Sequence, residues 1–201
     1  MSQFIYPEGA TPIDDISELK ILWVKTQKDL NRVEAENIVD ATSKYLMRKV
    51  DHPSRWFTTA FLKQIHREMF MNVWDWAGVF RKFQTHPGIK PHLISSSLAD
   101  LCEDVKYWWD RDCDLSIIEQ AVRLHHRLVY IHPFANGNGR FSRLVSDRYL
   151  KGLGYQFPIW PIELQNNGSV RKEYLSSLRS ADKGDFDPLL TFMVKCGVIE
   201  K

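Results

Sequence analysis

A chain of 201 residues has room for one sizeable core, and its net charge of +2, from 27 Lys and Arg against 25 Asp and Glu, gives no general electrostatic reason to bind nucleic acid or an anionic membrane. The three cysteines, Cys102, Cys113 and Cys196, lack CxxC spacing, which argues against a disulfide framework or structural zinc site and for a reducing, cytoplasmic setting. No apolar run reaches the roughly 20 residues of a membrane span, and residues 1–10 lack the basic-then-apolar pattern of a leader.

Apolar residues recur at three-to-four spacing between short Pro and Gly interruptions, without repeats, so the expected fold class is all-α. A short helix is predicted from Ser17 to about Val24. A longer one runs from Leu30 to Val50, with Val33, Ile38, Ala41 and Leu46 near one face. His52 and Pro53 break the pattern before a helix over Trp56 to Trp76. Val79, Phe80 and Phe83, then His86-Pro87-Gly88, then Ile89, Leu93 and Ile94 predict the only strand-like part, a hairpin or extended flap. Ser95 to Ser97 offer N-caps for a helix to about Asp110. Asp114 or Ser116 caps the next, whose stripe of Ile117, Ala121, Leu124 and Leu128 leads into His132.

Beyond that point, Arg140 to Lys151 reads as a helix with Leu144, Val145 and Tyr149 inward and Gly152 as its C-cap. Pro158 and Pro161 force an extended connection. Ser169 caps a helix over about Arg171 to Arg179, Lys183-Gly184-Asp185 turns the chain, and Pro188 begins a last helix through Met193.

Residues 132–140, His-Pro-Phe-Ala-Asn-Gly-Asn-Gly-Arg, hold a base, a run of bare backbone amides and a cation between two helices. The glycines let amides approach a ligand, and the following helix points its orphan N–H groups and positive dipole end into the same loop. Arg140 and Arg143, three apart, project from nearly one face with fork geometry suited to phosphate oxygens. A histidine's unperturbed titration near neutrality suits His132 to take a proton from a hydroxyl. Base plus anion cradle implies phosphoryl or nucleotidyl transfer; the alternatives are a plain Gly-rich turn, or a metal site of His125, His126 and His132, which no Asp, Glu or Cys joins at ligand spacing.

His132 to Arg143, His-Pro-Phe-Ala-Asn-Gly-Asn-Gly-Arg-Phe-Ser-Arg, resembles the Fic family signature HxFx(D/E)GNGRxxR at every defined position but one. The likeness extends to Trp76-Ala77-Gly78-Val79-Phe80-Arg81 before the flap and to residues 181–189, covering roughly residues 55–195. It implies a Fic helical bundle with a small β-hairpin flap, residues 51–201 as the catalytic domain and residues 1–50 as an N-terminal helical extension with a regulatory role. The implied activity is transfer of AMP from ATP to a hydroxyl of a target protein. In that scheme His132 is the base, amides of Gly137, Asn138 and Gly139 hold the phosphates, Arg140 and Arg143 grip the β- and γ-phosphates, and Phe134 anchors the loop.

Asn136 stands where the family has the acid that holds magnesium; its amide is a neutral, weak ligand for Mg²⁺. Reduced activity, altered nucleotide choice or another donor stay open, so the alternative is a nucleotide-binding Fic-fold protein with weak or autoinhibited transfer. The Doc branch, which moves a phosphate, has Lys where this chain keeps Arg140. Asn136, the compact length and Leu30 to Ile38 together resemble a bacterial Fic subgroup called mobile mystery protein B. Many family members are restrained by a helix bearing (S/T)xxxE(G/N), whose Glu pairs with the second motif arginine; Glu36-Asn37 matches its end, with Arg32 at the Ser/Thr position, so the two readings of Glu36 are an inhibitory pair with Arg143 and a solvated glutamate on an exposed helix face. Lys82, Phe83 and His86 represent the flap that would align the target's extended segment by main-chain pairing. The expected partners are ATP or another nucleotide, a target protein with an acceptor hydroxyl and a regulatory partner protein, with no membrane. Nucleic acid ranks low because no basic recognition helix is present.

Overall fold

The computed structural model describes residues 17–110, 113–165 and 167–198. The expectation of no leader over residues 1–10, and the start of the 1–50 extension, lie outside these. Among the described residues seven α-helices carry the fold: α1 (Gln27–Thr42), α2 (Thr59–Phe70), α3 (Ile94–Asp110), α4 (Ile117–Ile131), α5 (Asn138–Gly152), α6 (Ser169–Ala181) and α7 (Asp187–Lys195). The all-α expectation holds. No helix among the described residues is long and apolar enough to cross a membrane.

Caps set the boundaries. α1 begins three residues before the predicted Leu30 because Thr26 accepts from the Asp29 N–H while the Asp29 carboxylate accepts from the Thr26 N–H. It continues into a π-turn over Ser43–Met47. Ser116 and Glu119 form the same reciprocal box at α4, and Thr58 caps α2. α2 therefore falls short of the predicted Trp56–Trp76 span at both ends, and Trp56 and Trp76 pack from flanking turns.

The predicted helix from Ser17 to Val24 is not formed. Lys20 N–H donates to the Val73 carbonyl at 2.9 Å and Asp75 N–H to that of Glu18 at 3.0 Å, around a bridge of Leu19 to Trp74. Leu19 and Ile21, two apart, pack partly against the core; that is strand spacing, which a short window does not separate from helical spacing.

α4 lies along α5, α1 across α2 and α6 against α7. Their apolar faces meet in one core with Trp74, Tyr149, Phe57, Phe70, Phe134 and Phe141 fully buried. The turn joining α4 to α5 spans residues 132–137, so the motif sits between the two central helices.

Candidate active site

α4 ends at His132, whose backbone is left-handed at φ 51°. His132 is buried, and its Nδ1 lies 3.2 Å from the Val129 carbonyl, so Nδ1 carries the proton and Nε2 the lone pair. Burial pushes its pKa down to about 4, with the nearby Arg81 charge adding to the shift against the Val129 bond. The ring is neutral at pH 7, as a base must be.

The loop after it is held from within. The Asn138 side chain accepts from the Phe134 N–H at 3.0 Å and donates to the Phe134 carbonyl at 2.9 Å. Its role is therefore structural in the side chain, leaving only its backbone amide for an anion. Gly137 adopts φ 76°, and a Cβ there would meet the Phe70 ring at 2.4 Å, so this position requires glycine twice over. α5 starts with Asn138 and Gly139, whose amides belong to the unpaired first turn. Phe134 is fully buried.

Sequence reasoning missed the group beneath that anchor. His66, on α2, stacks on Phe134 at 3.6 Å and 9°. The Gly78 N–H donates to His66 Nδ1 at 3.0 Å, so Nε2 carries the proton and donates to the Asn136 carbonyl at 3.0 Å. Complete burial pushes its pKa down to about 3. One neutral histidine thus ties the root of the flap to the motif loop. Its signal was a polar residue on the core face of α2, beside Leu62, Ile65, Met69 and Phe70.

Asn136 turns inward: its Oδ1 accepts from the Gly137 N–H at 2.6 Å and from Arg140 Nη2 at 3.5 Å. That leaves one neutral, already engaged oxygen where Mg²⁺ prefers carboxylates. Among the described residues no three His, Cys, Asp or Glu side chains cluster to hold a metal ion. The donor set does not fit a protein-held magnesium. His125 and His126 turn to protein partners, Tyr174 at 2.9 Å and Asp182 at 2.9 Å.

The two arginines separate. Arg140 Nη1 pairs with Glu34 Oε2 at 2.6 Å, while Glu34 Oε1 accepts from Trp74 Nε1 at 2.8 Å. Glu34 is buried, on α1. This corrects the reading that pairs Glu36 with Arg143: two residues along a helix is about 200° around its axis, which leaves Glu36 exposed and aims Glu34 at the first motif arginine. Arg143 lies 5.7 Å over the Trp160 ring, beside Tyr174. One turn on, the buried Asp147 accepts from Trp160 Nε1 at 2.9 and 3.1 Å. Burial pushes its pKa up to about 8.

A cleft of about 1390 Å³ is lined by His132, Asn136, Gly137, Asn138, Gly139, Arg140 and Arg143 together, with Glu34 and Asp147 on its wall. Of residues 78–94, His86 to Ile89 border the cleft, and the segment forms no strand ladder; the expected β-hairpin is replaced by an extended loop with one bridge, Phe80 to Phe134. Side chains satisfy the loop instead: Arg81 donates to the Phe83 and Ile89 carbonyls, Gln84 to that of Gly88 and Thr85 to that of Pro87. His86 borders the cleft, whereas Lys82 and Phe83 are exposed outside it.

Residues 56–150 match the Fic/DOC family. The protein adenylyltransferase Fic of Culex quinquefasciatus is 29% identical over 182 residues, 88% of this chain and 35% of that protein. The protein adenylyltransferase fic-1 of Caenorhabditis elegans is 32% identical over 125 residues, 59% of this chain and 23% of that one. The chain spans well under half the length of these relatives. In structure it is similar to the BepC protein of Bartonella tribocorum with bound AMPPNP, at TM-score 0.67 and 18% identity over 98% of this chain and 96% of that one. Fic-1 of Caenorhabditis elegans gives TM-score 0.66 at 25% identity, over 88% and 51%. The helical bundle is the Fic fold.

Proposed function

We propose that this chain, whose residues 56–150 match the Fic/DOC family, transfers the AMP moiety of ATP to a hydroxyl of a target protein. The observation that carries this reading is His132, neutral and with Nδ1 committed to Val129, at the entrance of a cleft lined by glycine amides and two arginines. His132 Nε2 takes the proton of the acceptor hydroxyl as its oxygen bonds to the α-phosphorus. The bond from that phosphorus to pyrophosphate breaks, and the pyrophosphate leaves. Amides of Gly137, Asn138 and Gly139 meet the charge that builds on the transferred phosphate, and Arg140 and Arg143 meet the charge on the leaving group. No step runs through a protein-held metal.

Two observations favour the second reading, a nucleotide-binding protein whose transfer is weak or repressed. Asn136 offers no carboxylate, and Arg140 is already held by Glu34 at 2.6 Å. With Glu34 on α1, residues 1–50 act as a regulatory extension, and a partner that draws α1 aside opens the arginine. The subgroup resemblance of residues 30–38 and Asn136 supports a bacterial origin, and cysteines that form no disulfide support the cytoplasm.

The test is incubation of the purified chain with labelled ATP, UTP, GTP and CTP beside a His132→Ala variant. ATP-derived label that disappears in the variant is expected. Label surviving in His132→Ala overturns the base assignment, and nucleotide binding without label selects the second reading.

A further inference from the structure

The sequence likeness ends its first segment at Arg81, and no step above uses that residue. We propose that Arg81 is a positioning residue that locks the flap and His132 into one register, so that a segment seated on the flap is presented to the base. This rests on the reading of His132 as that base.

Arg81 is buried, and no ion pair of Arg81 occurs among the described residues. Its guanidinium is satisfied by main-chain oxygens from two sides. Toward the motif, Nε donates to the His132 carbonyl at 2.6 Å and Nη2 to the Ile131 carbonyl at 3.3 Å. Toward the flap, Nη1 donates to the Phe83 carbonyl at 2.8 Å and Nη2 to the Ile89 carbonyl at 2.6 Å. Only a planar fork with five donors reaches four oxygens on two segments at once; a lysine ammonium is a point donor with three.

The motif-side oxygens are those a helix leaves unpaired. Ile131 and His132 end α4, where orphan carbonyls and the negative end of the helix dipole attract a cation. Arg81 therefore caps α4 with a buried charge. It does so at the residue that most needs holding, because His132 is the one non-glycine residue at positive φ among the described residues, and such strain persists only where surrounding bonds over-determine it. The backbone N–H of Arg81 adds a bond to the Pro133 carbonyl at 3.0 Å.

Contact on the flap side is equally close. A Cβ on Gly88 would stand 2.7 Å from Arg81 Nη2 and 3.1 Å from His132 Cβ. The flap backbone thus lies against the base itself, with Arg81 between the two segments. A displacement of either is passed to the other through one side chain.

The experiment uses the full chain with Arg81→Lys and Gly88→Ala. In wild type the ¹⁵N ring resonances of His132 are expected to report one neutral tautomer with Nδ1 protonated. Both variants average the two nitrogen signals. Self-modification with labelled ATP loses about a hundredfold in kcat, the cost of a misplaced reacting group, while KM for ATP changes less than about twofold. A wild-type ring spectrum in the variants overturns the proposal even if kcat falls, because general destabilisation lowers kcat without reorienting the ring. If Arg81→Lys fails to fold, Gly88→Ala, which keeps the arginine, decides alone. Wild type that never labels overturns the transfer reading, whereas the ring spectrum still judges Arg81.

Discussion

The motif loop over residues 132–140 and the flap over residues 78–94 face one cleft and are held by opposite means. The loop is fastened from inside the core by the Asn138 side chain, the Phe134 ring and His66. The flap stands in solvent at Lys82, Phe83 and His86 and is gathered by Arg81 and short bonds from Gln84 and Thr85. A site that must hold charge in fixed places draws on buried, fully satisfied polar groups. In the proposed transfer the flap would receive a target segment, and it keeps an exposed length anchored at its root.

Acid should break the loop side first. Burial lowers the pKa of His66 to about 3, of His125 to about 3 and of His132 to about 4. Between pH 6.5 and about 4 the unfolded chain binds protons that the folded chain refuses, so stability falls as pH drops, by up to about 1.4 kcal/mol per pH unit for each group. Asp147, raised to about 8, acts in the opposite direction over the same window, because its folded form keeps a proton. Melting temperatures at pH 7, 6 and 5 should therefore fall, and fall more steeply in Asp147→Asn. A flat profile would break the assignment of neutral buried histidines.

Next in size is His66→Leu. It leaves the Gly78 N–H and the Asn136 carbonyl without their partner, at a cost of about 3 kcal/mol. Urea unfolding measures it, and calorimetry should show ATP binding lost with it. Glu34→Gln sharpens the electrostatic half of the contrast. It frees Arg140 while keeping an oxygen for Trp74 Nε1, and affinity for a non-hydrolysable ATP analogue should rise about tenfold, close to 1.4 kcal/mol. The smallest effect belongs to the flap surface: the Phe83 ring is 55% exposed and Arg81 uses only its carbonyl, so Phe83→Ala should leave stability within about 0.5 kcal/mol.

Local chemistry was legible. The Ser116 cap and the inward face of α5 at Leu144, Val145 and Tyr149 follow from spacing within a few residues. The Ser17–Val24 segment misled because eight residues fit either period. The hairpin misled because its apolar pattern was right but the partners of its backbone are the side chains of Arg81, Gln84 and Thr85. Glu36 misled because a motif end was matched by letters, while helix phase gives the inward position to Glu34.

The sequence by itself determined the helices, through apolar periodicity and caps, and brought His132, Gly137, Gly139, Arg140 and Arg143 together, since a dozen residues across one turn cannot lie far apart. Tertiary structure decided what holds them. Glu34 reaches Arg140 across 106 residues, His66 reaches Asn136 across 70 and Arg81 reaches His132 across 51. Such pairings depend on how α1, α2 and the flap close over α4 and α5, and no local propensity encodes them.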